Sequence, residues 1–181
     1  MEAQPNFEPG TAVIYGIHGK CSVLSVERRI TDGKTIQYYK LEPVKSSFSR
    51  SQKQEPSIWV PVNTAQERGL RAPMTAAEAE ACMDLVKNRE YFFNLDQPWS
   101  ALQPQLEACI RTEGALGLTK VLSFLFVMRK RLAAPPTEAT RMYETISKLL
   151  LREMAEALQQ TPRAIEDQIA KAIRTKLTAS H

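Results

Sequence analysis

A chain of 181 residues with 43% hydrophobic content can bury one sizeable core or two small ones, so a soluble globular protein is the expectation. Its 24 basic and 20 acidic side chains leave a net charge of +4, with ten basic and seven acidic residues up to Ala72 and fourteen and thirteen after it. An excess this small permits an anionic partner but excludes a protein that coats nucleic acid through phosphate neutralisation alone.

Thr11 to Tyr15 and Lys20 to Arg29 are rich in β-branched residues, and Cys21, Val23 and, past Leu24, Val26 alternate with polar positions as a half-buried strand requires. Gly16 and Gly19 bracket a tight turn. Thr31-Asp-Gly-Lys34 predicts a hairpin, because Asp-Gly supplies the positive φ angles of a two-residue connection, and Thr35 to Leu41 is the return strand, ended by Pro43. Lys45 to Pro56, rich in Ser, Gln and Lys, predicts an exposed loop. Ile58 to Val62 resumes the sheet, with Pro61 suited to an edge because it donates no ladder hydrogen bond.

Helices follow Pro73. Thr75-Ala-Ala-Glu78 has capping-box spacing, and Ala79, Cys82, Met83 and Val86 form one apolar face. Asp96-Gln-Pro-Trp99 reads as a helix start with Asp96 as cap, interrupted at once by Pro104, where a second helix is expected to restart. Gly114 to Arg131 is apolar nearly all round in its middle and predicts the central buried helix. Pro135-Pro136 separates it from a helix over Thr137 to Gln159, and Thr161-Pro162 opens a last one with Ile165, Ile169 and Ile173 on one stripe. The expected architecture is α+β: a small β-barrel over 1–72 followed by a compact all-helical domain of about five helices over 73–181.

The chemistry is sparse. With two histidines, His18 in a turn and His181 at the end, and with no GxSxG, HExxH, P-loop or GxGxxG pattern, nothing places a nucleophile, a metal or a phosphate, so neither enzyme nor cofactor is expected. Cys21, Cys82 and Cys109 are widely spaced among apolar neighbours and are expected to be buried free thiols. The N-terminus has no signal-like segment, and the longest apolar run, Val121 to Met128, broken by Ser123, is too short to span a bilayer. A cytoplasmic monomer without membrane contact is the expectation. Arg129-Lys130-Arg131 suits either the negative end of a helix dipole or a phosphate. Trp99 is either a core plug or a wedge against a base step, and Trp59 either covers the barrel or anchors a partner strand.

Phe7, Gly10, Val13, Tyr15, Gly19, the strand to Arg29, Gly33, Tyr38 and Tyr39, Trp59-Val-Pro-Val-Asn63 and Gly69-Leu-Arg71 together resemble the CarD/CdnL family of bacterial transcription factors. The helical half agrees through Trp99-Ser100, the Gly114 to Leu125 helix and Leu149-Leu-Leu-Arg-Glu153, so nearly the whole chain is covered. The resemblance implies a Tudor-like (SH3-like) barrel that binds the RNA polymerase β subunit by edge-strand contacts, and a helical domain that stabilises the promoter open complex at the edge of the bubble. Carried over by position, Arg29, Trp59 and Pro61 are the polymerase contacts and Trp99 the minor-groove wedge; the cations Lys120, Arg129 and Lys130 of the helical half are expected as further DNA contacts. Where the family has adjacent arginines after the tryptophan, this chain has Ala101, Leu102, Gln103 and Pro104. That departure motivates an alternative in which a divergent paralogue keeps the polymerase contact and turns its helical domain to a protein partner; a peptide-binding adaptor unrelated to transcription is the other.

Overall fold

The computed structural model describes residues 6–44, 56–88 and 93–178, the last with side chains to 172. Most of the loop expected over Lys45 to Pro56, together with His181, lies outside these residues, as does the side chain of Ile173. The chain divides into two compact units, Met1–Pro73 and Met74–His181.

The first unit is a five-stranded antiparallel sheet of β1 (Ala12–Tyr15), β2 (Lys20–Thr31), β3 (Lys34–Pro43), β4 (Ile58–Pro61) and β5 (Leu70–Arg71), in the order β4-β3-β2-β1-β5. Asp32 and Gly33 take φ of 51° and 74°, the paired positive angles of the predicted hairpin turn, and Thr31 faces Lys34 across it. Leu24 is skipped in the β2–β3 register between Val23 and Ser25. This one-residue bulge re-aims the strand, so Cys21 and Val23 before it and Val26 after it face the same core. That core gathers Val13, Cys21, Val23, Tyr39, Leu41, Val60, Ala65 and Leu70. The buried Tyr39 hydroxyl accepts hydrogen bonds from the backbone N–H groups of Asn6 (2.8 Å) and Phe7 (3.3 Å), and the Phe7 ring meets the Tyr39 ring edge-on at 5.9 Å. The chain leading into β1 is thus fastened to the middle of the sheet.

The α+β class is as expected, but the strand ladder is open. β4 turns into a 3-10 helix at Val62–Thr64, and β5 is two residues long and pairs only with β1, so that β4 and β5 are the two ends of the ladder among the described residues.

The second unit holds four helices among the described residues, where about five were expected: α1 (Ala76–Asn88), α2 (Trp99–Arg131), α3 (Thr137–Leu158) and α4 (Pro162–Thr178). The Thr75–Glu78 capping box is made in both directions, Thr75 N donating to Glu78 Oε2 at 2.7 Å and Glu78 N to Thr75 Oγ1 at 3.2 Å. Thr161 Oγ1 likewise accepts from Ala164 N at 3.2 Å, ahead of Pro162 in the first turn of α4.

The helix start near Trp99 corrects the sequence reading. Pro98, not Asp96, occupies the cap, and the helix runs through Pro104. The missing proline N–H frees only the carbonyl of Ser100, an exposed residue in the first turn that water can serve, so no restart is needed. The break falls instead at Gly114, whose φ of 57° and ψ of −123° divide α2 into two arms. Leu102, Leu106 and Ile110 of the first arm and Leu118, Val121, Leu125 and Met128 of the second join Val86, Ile146, Leu150 and Ile165 in one core. Within this unit, buried Glu153 accepts the Met74 N–H at 2.8 Å.

Candidate binding surfaces

In the first unit, register and alternation decide which side chains share a face. Across the sheet, Val23 sits beside Leu41 and Ile58, and Val26 beside Tyr39 and Val60; these rows point into the core. The intervening rows, Ser25-Lys40-Trp59 and Glu27-Tyr38-Pro61, followed by Arg29-Ile36, therefore lie on the opposite face. Arg29, Trp59 and Pro61, thirty-two residues apart at the extremes, meet there.

The contact is close. The Arg29 guanidinium carbon stands 3.4 Å from the centroid of the Trp59 ring, and Lys40 Nζ is 5.4 Å from it. Glu27 approaches Arg29 at 4.0 Å and accepts a 2.9 Å hydrogen bond from Ser25 Oγ. Both ends of the Glu27–Arg29 pair are nearly half exposed, so the pair contributes little stability and mainly orients the guanidinium. With its flat face against the indole, that guanidinium keeps its in-plane N–H donors available to an acceptor. Trp59 is half-buried and stands outside the core cluster, while its neighbour Val60 is fully buried within it. Of the two roles open to Trp59 in the sequence, the barrel-covering one does not match this placement. Lys40, Tyr38 and Glu27 join the same face; their alternation opposite Trp59 and Pro61 was the available signal.

β4 is an end strand whose one neighbour among the described residues is β3. Its outer backbone edge offers hydrogen-bonding groups, shortened at one end by Pro61, which has no N–H to give.

The helical unit disperses the other site residues. Trp99, at the first position of α2, packs against the core, and its buried Nε1 has no hydrogen-bond partner among the described residues. The ring is half-buried, one part lying against apolar side chains of the core. Lys120 forms an ion pair with Glu113 across the Gly114 break. Arg129 and Lys130, exposed in the last turn of α2, are backed by aromatics: Arg129 lies 4.5 Å over the Tyr143 ring and Lys130 Nζ 5.8 Å over Phe126, these two rings being 6.5 Å apart.

Cys21, Cys82 and Cys109 are buried cysteines, and burial, with the adjacent Glu113 carboxylate, pushes the Cys109 thiol up to about 11. His18 is exposed in its turn and stacks on Tyr15 at 5.3 Å. Among the described residues no group of three or more His, Cys, Asp or Glu is placed to hold a metal ion, and no helix is long and apolar enough to cross a membrane. Comparison of the chain with protein-family models and with curated proteins finds no match in either.

Proposed function

We propose that the β-module docks on the β subunit of a bacterial RNA polymerase, adding β4 to a polymerase strand, and that the protein is a divergent transcription regulator of CarD/CdnL type. The observation that carries this reading is the convergence of Arg29, Trp59 and Pro61 on one face beside an end strand. An end strand supplies backbone affinity, and the flanking side chains supply specificity. A tryptophan held by a stacked guanidinium is pre-ordered, which lowers the entropy lost on binding. On this reading the open sheet is an incompletely closed Tudor-like barrel, and the protein acts in the cytoplasm, at the nucleoid, without enzymatic activity or cofactor.

In the same proposal the helical unit reaches promoter DNA through Arg129 and Lys130, whose aromatic backing holds two cations side by side. Specific observations favour a second reading for this unit, in which it binds a protein instead of DNA: half-buried Trp99 packs against the helical core and Lys120 is paired with Glu113. A pull-down from cells of the protein's source decides the first part, since polymerase must co-elute with the tagged chain and its absence contradicts docking. Duplex-DNA binding as a function of salt decides the second. Loss of Arg129 or Lys130 should each reduce the slope of log affinity against log salt by about one if they contact phosphates, and a chain that shows no DNA affinity leaves the protein-partner reading.

A further inference from the structure

The two arms of α2 are separated by one residue. Gly114, with φ 57° and ψ −123°, holds the angles of the first central position of a type II′ turn, which glycine adopts freely and L side chains resist. Residues on either side are helical.

Gly117 shows how sharply the chain doubles back. Eight residues of straight α-helix span about 12 Å, yet a Cβ placed on Gly117 would stand 2.2 Å from the carbonyl oxygen of Cys109. The closed form therefore requires two glycines, one for its angle and one for its close crossing. A straight helix requires neither.

The apolar pattern is indifferent to the bend. Leu102, Leu106 and Ile110 on the first arm, and Leu118, Val121, Leu125 and Met128 on the second, keep three- and four-residue spacing within each arm, and the eight residues from Ile110 to Leu118 amount to two such steps across Gly114. A continuous helix would carry them on one broad side, spread over about 160° at 3.6 residues per turn. Straightening would, however, part the first arm from the second, and with it α1, which packs against α3 and α4 as well as against α2. The faces so exposed are complementary to each other and hence to those of an identical chain.

We propose that Gly114 is a single-residue hinge through which the helical unit exchanges halves with a second copy of this chain, α1 and the first arm of each packing on the second arm, α3 and α4 of the other. Every core contact of the closed monomer is re-formed between copies, and the cost is confined to the vertex and to the entropy of association.

Two full-length variants test this, Gly117→Ala, which closes off the crossing while favouring helix, and Gly114→Ala, which disfavours the turn. Each is purified, sized by light scattering after gel filtration, and compared with wild type by circular dichroism. The expected result is a dimer with undiminished helix content in at least one variant, whose differently tagged copies mix only after passage through denaturant. A variant pair that stays monomeric, folded or unfolded, overturns the proposal. So does a dimer that exchanges copies on simple dilution, because face-to-face association needs no opening of the hinge.

Discussion

The guanidinium of Arg29 rests 3.4 Å from the centre of the Trp59 ring, joining the second strand of the sheet to its fourth across the solvent-side face. A guanidinium stacks flat on an indole and still offers in-plane donors, whereas an ammonium is a compact charge that does neither. Arg29→Lys should accordingly weaken polymerase binding by about 1 kcal/mol despite the conserved charge. Titration calorimetry against the polymerase β lobe checks this, with an unchanged unfolding midpoint showing that the loss belongs to the interface.

Tyr39 serves the fold and not the surface. Its hydroxyl accepts from the N–H groups of Asn6 and Phe7, so Tyr39→Phe keeps the ring in the core and strands the two donors. A loss of about 1–2 kcal/mol is expected, measured as a lower denaturant midpoint for the β-module with polymerase affinity retained at temperatures where the variant is folded.

Trp99→Ala distinguishes plug from wedge. Because the ring packs against the helical core, truncation should destabilise the helical unit by about 2–3 kcal/mol. Trp99→Phe should retain most of that stability, since the buried Nε1–H has no partner to lose among the described residues. Chemical denaturation followed by far-ultraviolet circular dichroism reads both; a Trp99→Ala variant as stable as wild type contradicts the plug.

Cys109 makes stability sensitive to alkali. Its thiol ionises near 11 in the folded chain, chiefly because burial disfavours the thiolate and secondarily because Glu113 is adjacent, against 9.0 ordinarily. Between these values the unfolded chain has released a proton that the folded chain still holds, so stability from this residue falls as pH rises from about 9 to 11. Cys109→Ala should flatten that part of the stability profile relative to wild type. Glu113→Gln should move the onset of thiolate absorbance to lower pH without returning it fully to the ordinary value, since burial persists.

Short-range chemistry was the legible part of this fold. The Asp32-Gly33 hairpin, the Thr75–Glu78 box and the Thr161-Pro162 start each depend on residues within one turn of each other, and each formed as their types require. Pro104 misled because a proline matters only through the carbonyl it strands, and that of exposed Ser100 is cheaply hydrated. The vertex at Gly114 falls where the central helix was expected to begin, although it carries no proline and no polar loop to show that the chain doubles back there. Its need for glycine at 117 arises from Cys109, eight residues earlier, which helical periodicity does not bring near. The candidate site was half legible: Arg29, Trp59 and Pro61 were separately nameable, but their shared face depends on the Leu24 bulge and on a register running across three strands.

Calorimetric titration of the full-length protein into the β-subunit lobe of the polymerase from its own source, with Trp59→Ala beside wild type, tests the central claim most directly. Trp59 stands outside the core, so the variant should keep its unfolding midpoint, and a buried interface anchor should lose about 2 kcal/mol of binding. Micromolar binding by wild type that drops about thirtyfold in the folded variant is the predicted result. Absence of binding by wild type, or equal affinity in the variant, would contradict it.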